Sequence, residues 1–317
     1  MEEKANIVAE YTQQILNQAR RVVVGKDDVL QWVLAAILAK GHILLEDVPG
    51  VGKTTMALTY SKILSLEYNR VQFTPDVLPS DITGYSIPDQ RTGEIVYQKG
   101  AILCNLFLAD ELNRATSRTQ SALLEAMEEG QVTVDGISHA LPKPFVVIAT
   151  QNPTGAAGTQ LLPDSQMDRF VVRLSLGYPD PKEEVSMVMD RQAGNPLQNL
   201  TALLTKENLV AMQEEVEATF VKDAIVKYIV DLIVATRNNE NIFRGASPRA
   251  TLAVTAMAKA MARIHGRDYV LPEDVQEVFA KVVAHRLLLS PKAEGRKMTP
   301  EQVLADIVKQ VPTPKMY

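Results

Sequence analysis

The sequence predicts an α/β core followed by an all-helical region. Short apolar runs alternate with helix-like segments in the first half of the chain, at residues 43–45, 71–73, 106–109, 145–149 and 170–172. Near-continuous apolar runs of this length are typical of strands buried on both faces of a parallel sheet. After residues 178–181 the pattern changes to apolar residues at helical spacing. We therefore predict an α/β domain over residues 1–180 and a domain of roughly four or five helices over residues 181–317.

Two stretches of the predicted core interrupt this alternation in the way that β-hairpins would. Residues 86–98 hold two turn-forming dipeptides between short extended pieces. Residues 131–134 and 138–141 flank Asp135-Gly136, which is a strong hairpin signal because the favoured two-residue turn needs positive φ angles. The core is therefore predicted to carry two inserted β-hairpins.

Composition and charge limit the classes of function. The 317 residues are enough for two domains, and an apolar fraction of 46% is enough for a sizeable core. The net charge of −5, with both signs mixed along the chain, disfavours a duplex-DNA binder, which usually presents a concentrated basic face. Residues 1–4 do not resemble a signal peptide, and the most apolar stretch, residues 33–39, is too short to span a bilayer. With Cys104 as the single cysteine, we predict a cytoplasmic protein without disulfides or a membrane segment.

A glycine-rich loop follows the first predicted strand and leads into a helical segment. In such a loop backbone N–H groups turn inward on phosphate oxygens, and the helix N-terminus adds its positive dipole end. Lys53 would reach the β- and γ-phosphates, and the Thr54 hydroxyl would bind Mg²⁺. The usual pattern G-x-x-x-x-G-K-[ST] has Asp47 at its first glycine here, and aspartate tolerates the left-handed backbone better than most residues. The loop residues predicted to bind nucleotide are Pro49, Gly50, Val51, Gly52, Lys53, Thr54 and Thr55.

Two further strand ends carry polar residues suited to phosphate chemistry. The run 106–109 ends in Asp110-Glu111, where Asp110 would hold Mg²⁺ and Glu111 would orient or deprotonate the attacking water. The alternative is an acidic pair at an exposed strand end. Asn152 follows the run 145–149 and would contact the γ-phosphate or the water, although asparagine after a strand is also a common turn former. Together these residues predict Mg²⁺-dependent hydrolysis of ATP.

Six segments of the chain together carry a family resemblance, at residues 110–115, 119–129, 131–136, 149–153, 162–170 and 245–250. They resemble the MoxR family of AAA+ ATPases. The phosphate loop, with Glu-Asp before Val-Pro-Gly, also resembles this family. The resemblance implies a P-loop AAA+ core whose two hairpins match the helix-2 and pre-sensor-1 inserts, followed by a helical lid.

The resemblance also implies roles that spacing alone does not assign. Val24 and Gly25 would lie beside the adenine, and Asn152 would be the sensor-1 residue. Arg169 would be the arginine finger and Arg249 the sensor-2 residue of the lid. Members of the family resemble chaperone-like motors that bind ATP and Mg²⁺ and assemble as rings, often hexamers. They commonly work with proteins that carry a von Willebrand factor A domain.

For the arginines, the residues themselves leave alternatives open. Arg169 precedes the last core strand, where a neighbour's γ-phosphate or a salt bridge with Asp164 or Asp168 would satisfy it. Arg249 lies in the first turn of its predicted helix, so its charge opposes the helix dipole and requires an anion nearby. That anion is a phosphate, of its own subunit or of a neighbour, or a carboxylate. Arg114 is either an interface residue or an ordinary surface residue.

The sequence thus predicts a ring-forming ATPase that remodels or activates protein partners. A DNA-remodelling motor is disfavoured by the acidic balance of the chain. A chelatase-like motor subunit would have nearly the same core. A nucleotide-switched scaffold with little hydrolysis is disfavoured by the intact Asp110-Glu111 pair. The identity of the partner and the size of the ring do not follow from the sequence.

Overall fold

The computed structural model describes residues 7–152, 162–192 and 194–315. The strands of its first half are β1 (His42–Glu46), β2 (Tyr68–Gln72), β3 (Gly84–Pro88), β4 (Ile95–Lys99), β5 (Leu106–Asp110), β6 (Gln131–Val134), β7 (Ile137–Ala140), β8 (Val146–Gln151) and β9 (Phe170–Leu174). Five of them form one parallel sheet in the order β2-β5-β8-β1-β9. All five predicted core strands are present, although β2 begins and ends earlier than the apolar run 71–73 indicated.

The α-helices surround the sheet and make up most of the second half. They are α1 (Ile7–Arg20), α2 (Asp27–Leu38), α3 (Lys53–Ile63), α4 (Pro79–Thr83), α5 (Ser117–Glu129), α6 (Asp164–Met167), α7 (Pro181–Gln192), α8 (Lys206–Glu217), α9 (Asp223–Arg237), α10 (Pro248–Ile264), α11 (Pro272–Val283), α12 (Pro291–Gly295) and α13 (Pro300–Gln310). None of the helices in the described ranges is long and apolar enough to cross a membrane.

The two faces of the sheet belong to two apolar clusters. Successive side chains of a strand point to opposite faces, so Ile43 and Leu45 of β1 join one cluster and Leu44 joins the other. The first cluster includes residues of α1, α2, α3 and the helices of the second half, and the second cluster includes residues of α5. Burial on both faces explains why β1, β5 and β8 appear in the sequence as continuous apolar runs.

Both predicted hairpins are confirmed. β3 pairs with β4, and β6 pairs with β7, each antiparallel. Asp135 and Gly136 at the second turn have φ angles of 50° and 78°. The hairpins also contact each other, since the rings of Tyr97 and His139 stack with their centroids 3.7 Å apart.

The second half is mainly helical but not all-helical, so this detail of the prediction is wrong. A short antiparallel pair, β10 (Ile242–Arg244) and β11 (Leu288–Leu289), lies among the helices. These strands are too short to show alternation in the sequence. The structure describes seven helices there instead of the four or five expected. Among them are α7, which buries none of its residues, and α12, which has only five residues.

Candidate nucleotide site

The glycine-rich loop connects β1 to α3 at the edge of the sheet where the parallel strands end. Gly52 immediately precedes α3 with a φ of 100°, a left-handed conformation that glycine adopts without steric cost. Lys53 Nζ donates hydrogen bonds to the carbonyl oxygens of Asp47 (2.6 Å) and Val48 (3.2 Å), so the ammonium group is turned back into the loop. The N-terminus of α3 and the lysine therefore converge on the same small volume, as phosphate binding requires.

The backbone of Asp47 does not adopt the left-handed conformation that the sequence suggested. It is not among the described non-glycine residues with a positive φ, so a left-handed backbone is not the reason for an aspartate here. Its buried carboxylate accepts hydrogen bonds from Ser175 Oγ (2.7 Å) and from the backbone N–H groups of Leu176 (2.6 Å) and Gly177 (3.1 Å). Asp47 thus joins the loop to the segment that follows β9.

The acidic pair lies at the end of β5, on the same edge of the sheet. Asp110 is 8% exposed and accepts hydrogen bonds from Thr150 Oγ1 (2.6 Å) and from the Arg70 guanidinium (2.7 Å). Glu111 N–H donates to the same threonine oxygen at 2.8 Å. The Glu111 carboxylate forms a salt bridge of 2.7 Å with Arg114, which accounts for that arginine. The pair is therefore held in place by hydrogen bonds and is not simply an exposed strand end.

Charge and donor chemistry connect these two parts of the site. Burial lowers the pKa of Lys53, while the nearby carboxylates of Asp47, Asp110 and Glu111 act in the opposite direction. The four groups are thus close enough to act on one another electrostatically. Thr54 lies half-buried in the first turn of α3. A threonine hydroxyl and an aspartate carboxylate are hard oxygen donors, so this set of residues fits Mg²⁺.

A cavity of about 340 Å³ lies beside the loop. Residues 21–24, the glycine-rich loop and parts of the segment 178–197 form its walls. Gly25 is not among the residues that line the cavity, and it packs closely against Glu183, since a Cβ added there would lie 1.8 Å from Glu183 Oε1. A cavity partly lined by valines and opening beside a phosphate loop suits a nucleoside. The predicted residues that line it are Val24, Pro49, Gly50, Val51, Gly52 and Thr55.

Asn152 follows β8, the strand between β1 and β5 in the sheet. It therefore lies at the same edge as the loop and the acidic pair. Its carbonyl oxygen accepts a hydrogen bond of 3.3 Å from Asn113 Nδ2. Pro153, which completes the segment that resembles the family, lies outside the described residues.

The two predicted arginines meet at one carboxylate. Arg169 lies 3.1 Å from Glu128 Oε2, and Arg249 donates a hydrogen bond to Glu128 Oε1. Glu128 is thus the anion that the helix dipole argument required near Arg249. Arg286 is a third arginine in the same cavity, with its side chain 3% exposed and 2.9 Å from Asp168. Burial lowers the pKa of Arg286 to about 10.

The salt bridges proposed for Arg169 as an alternative are not formed. Asp168 pairs with Arg286, and Asp164 pairs with Arg244. Glu128, which does pair with Arg169, comes from the last turn of α5. No local sequence pattern predicts that contact, because the interacting residues lie on different elements.

The arginines lie at the opposite edge of the sheet from the phosphate loop. Phe170, directly after Arg169, pairs with His42 at the start of β1, whereas the loop follows Glu46 at its end. At a rise of ~3.3 Å per residue, the strand alone separates the two edges by roughly 13 Å. The arginines therefore do not converge with Lys53 of their own chain.

Other contacting residues were not predicted from the sequence. Thr150 bonds to both members of the acidic pair, and Arg70 pairs with Asp110. Thr150 lies two residues before Asn152, at the end of a strand. Its contact with the acidic pair would follow from the sheet order, in which this strand neighbours β5. Arg70 precedes the apolar run that indicated its strand, and no role was predicted for Glu128.

Comparisons with known proteins agree with this arrangement. Residues 42–172 match the ATPase family associated with various cellular activities (AAA), and residues 234–307 match the AAA lid domain. The fold and the site thus define an AAA+ ATPase with an α/β core and a helical lid, as predicted.

Three relatives narrow this class. Chaperone MoxR1 of Mycobacterium tuberculosis is 39% identical over 308 residues, which cover 94% of this chain and 81% of that protein. YeaC of Bacillus subtilis is 45% identical over 294 residues, 93% of this chain and 92% of that protein. A crystal structure from Cytophaga hutchinsonii, described as a candidate ATPase, superposes with a TM-score of 0.92 at 36% identity and covers 99% of this chain and 98% of that one. The chain belongs to the MoxR family of AAA+ ATPases.

Proposed function

We propose that this chain hydrolyses ATP to ADP and phosphate at the interfaces of a homo-oligomeric ring and uses the reaction to remodel or activate a protein partner. One observation carries the proposal. The phosphate loop and the acidic pair lie at one edge of the sheet, and the three arginines lie at the other. Head-to-tail contacts between copies would bring the two halves together, and such contacts close into rings.

Within one subunit, the loop and the acidic pair would bind and orient the reactants. Lys53 would exchange its bonds to the carbonyls of Asp47 and Val48 for phosphate oxygens. Thr54 and Asp110 would hold Mg²⁺, which neutralises charge on the phosphates when it is bound.

The hydrolytic step would depend on residues beside the γ-phosphate. Glu111 would orient the attacking water and accept its proton, after leaving its salt bridge with Arg114. Asn152 would hold the water or the γ-phosphate at the same edge. The water oxygen forms the new bond to phosphorus as the bond to the ADP oxygen breaks. We expect positioning and charge to supply the rate, without a covalent intermediate.

Arg169 and Arg249 would act on the nucleotide of a neighbouring subunit. Both arginines pair with Glu128 and line one cavity of about 220 Å³. Arg249 is therefore as far from the phosphate loop of its own chain as Arg169 is, and we assign both to the neighbouring site. A triphosphate carries more negative charge than one carboxylate and would displace Glu128 from the arginines. Arginine is suited to this role because its planar fork bonds two oxygens at once.

The hairpins would contact the protein that is remodelled. Ile95 and Ile137 are 76% and 63% exposed, and the stacked rings of Tyr97 and His139 join the two hairpins. Exposed apolar side chains on neighbouring hairpins favour contact with other polypeptides. The hexameric ring, the partner with a von Willebrand factor A domain, the cytoplasmic location and the domain boundary near residue 180 stay predictions.

The dependence of turnover on subunit concentration tests the proposal. Phosphate release with ATP and Mg²⁺ should rise more steeply than linearly with protein concentration, in the range where light scattering detects assembly. It should stop when EDTA removes Mg²⁺. Equal turnover per subunit in monomers and assemblies would contradict a shared site. Stimulation by duplex DNA that falls steeply with salt would instead favour a DNA-remodelling motor.

A further inference from the structure

Asp47 occupies a position where phosphate loops of the common pattern carry glycine. Its backbone does not adopt a positive φ, so nothing in the loop conformation requires glycine there. Its side chain is 6% exposed and lies at the junction of the loop and the segment after β9. An aspartate thus adds contacts that a glycine would lack.

The carboxylate of Asp47 is fully used by one short segment. Oδ1 accepts from Ser175 Oγ (2.7 Å) and Gly177 N–H (3.1 Å), and Oδ2 accepts from Leu176 N–H (2.6 Å). Hydrogen bonds to an ionised acceptor are shorter and stronger than neutral ones. Removing the carboxylate would leave the two backbone N–H groups without this acceptor.

The segment that Asp47 holds leads directly into a wall of the nucleoside cavity. Tyr178 and Pro179 follow Gly177 and line that cavity opposite the glycine-rich loop. Lys26 Nζ, from the loop before α2, donates to Tyr178 O at 2.9 Å and so fixes the same wall from the other side. The hydrogen bonds of Asp47 therefore hold the wall where it adjoins the phosphate loop.

The backbone of Asp47 contacts the phosphate-binding part of the loop. Its carbonyl oxygen accepts the 2.6 Å hydrogen bond from Lys53 Nζ, and its N–H donates to Gln151 O at 3.2 Å. One residue thus connects the lysine, the neighbouring strand and the cavity wall. A change of its side chain alters the wall contact but keeps the backbone groups that support the lysine.

We infer that Asp47 is a positioning residue that holds the nucleoside wall at a fixed distance from the phosphate loop. Because of it, the site distinguishes a nucleoside triphosphate from a bare polyphosphate. The inference rests on the proposed function, in which this loop and this cavity bind one ATP molecule. It implies that Asp47→Gly, which restores the common loop pattern, impairs ATP binding.

The test uses calorimetry to measure the binding of two ligands, ATP and inorganic tripolyphosphate, each in the presence of Mg²⁺. In Asp47→Gly the Kd for ATP should rise by about tenfold or more, since hydrogen bonds to a charged group are lost. The Kd for tripolyphosphate should stay close to the wild-type value. Asp47→Asn keeps one acceptor oxygen and should lie between. The matched control is Asp231→Asn, at an exposed position of α9, which should bind both ligands as the wild type does.

Each other result has a defined meaning. Unchanged ATP affinity in Asp47→Gly overturns the inference, and so does an equal loss of both ligands, because that result indicates a collapsed phosphate loop. If Asp47→Gly does not fold, Asp47→Asn and Ser175→Ala provide the same comparison of ligands. A wild-type chain that binds neither ligand would overturn the proposed function itself. If the wild type binds both ligands and Asp47→Gly behaves as the wild type does, only the inference about Asp47 fails.

Discussion

The two edges of the parallel sheet differ in chemistry. The edge where strands end carries Lys53 on a glycine-rich loop together with Asp110 and Glu111. The edge where strands begin carries Arg169 among further arginines, which are paired with carboxylates in one cavity. The first edge offers groups suited to phosphates and water, and the second offers arginines held by carboxylates.

Under the proposed function, a single chain holds the residues for hydrolysis but does not bring them together in one site. A β-strand is rigid and about five residues long, so no side chain of one edge reaches the other. The side chains within each edge are held by short hydrogen bonds, such as Thr150 to Asp110 at 2.6 Å. In the proposed ring, a second copy would bring the two halves together. The predictions below change one edge at a time.

At the phosphate edge, the largest effect is expected from Glu111→Gln. The glutamine keeps the size of the side chain but cannot accept the proton of water, so turnover should fall by ~10²–10⁴. ATP affinity should stay within about twofold, because the phosphate contacts are retained. Steady-state phosphate release and calorimetry measure the two quantities. Glu125→Gln, at an exposed position of α5, is the control. Equal turnover in wild type and Glu111→Gln would remove Glu111 from its proposed role in catalysis.

Lys53→Ala should act on binding at the same edge. The substitution removes a charge-assisted contact worth about 1.5–3 kcal/mol, which corresponds to a rise of roughly 10- to 150-fold in the Kd for ATP. Lys309→Ala, on the exposed face of α13, should leave the Kd unchanged. Full ATP affinity in Lys53→Ala by calorimetry would contradict the assignment of the loop.

Glu128→Gln should have a smaller effect, at the arginine edge. In the proposed ring, Glu128 would compete with a neighbour's triphosphate for Arg169 and Arg249. Its salt bridges with them involve partly exposed side chains. Exposed pairs contribute about 0–1 kcal/mol, so the protein concentration that gives half-maximal turnover should fall by up to about fivefold. Glu129→Gln is the matched control on the same helix. A loss of turnover in Glu128→Gln would show that Glu128 orients the arginines instead of competing for them.

The last of these predictions concerns the stability of the fold and not turnover, at His42, which lines the arginine cavity. Burial lowers the pKa of His42 to about 4, so the folded chain keeps this imidazole neutral while the unfolded chain protonates it near pH 6.5. The unfolded state then binds more protons between these pH values, and the free energy of unfolding falls as pH decreases through that window. The contribution of His42 to this loss at pH 5 is about 2 kcal/mol.

Urea unfolding at pH 7.5 and pH 5 measures this difference. His42→Gln retains an amide that can donate to Met127 O as the imidazole does at 3.1 Å, and it should flatten the pH dependence. Burial also lowers the pKa of His285, so a residual slope should remain in the variant. The same slope in both proteins would mean that His42 does not cause the pH dependence of the free energy of unfolding.

The sequence predicted the phosphate edge better than the arginine edge, for a physical reason. Lys53 follows Gly52 directly, and Glu111 follows Asp110, so the functional residues of that edge are neighbours in the sequence. Arg249 and its partner Glu128 are 121 residues apart in the chain. Only the packed structure reveals such a pair.

Short or atypical elements also escaped prediction. The strands β10 and β11 have three and two residues, too few for any periodicity. Arg70 lay outside the apolar run that indicated β2, although it belongs to the observed strand and contacts Asp110. Asp47 was explained by backbone conformation, whereas its role comes from side-chain bonds to residues about 130 positions away.

The most direct test of a site shared between subunits mixes Arg169→Ala with Lys53→Ala. At an ATP concentration near the wild-type Kd, each variant alone should be nearly inactive, because loss of an arginine finger costs ~10³–10⁵ in rate and loss of the lysine leaves the loop mostly unoccupied. In an equal mixture of exchanging subunits, about a quarter of head-to-tail interfaces would pair an intact loop with an intact arginine. Turnover should then recover to roughly that fraction of wild type. If fluorescence energy transfer shows that subunits exchange and turnover still does not recover, Arg169 does not act across an interface.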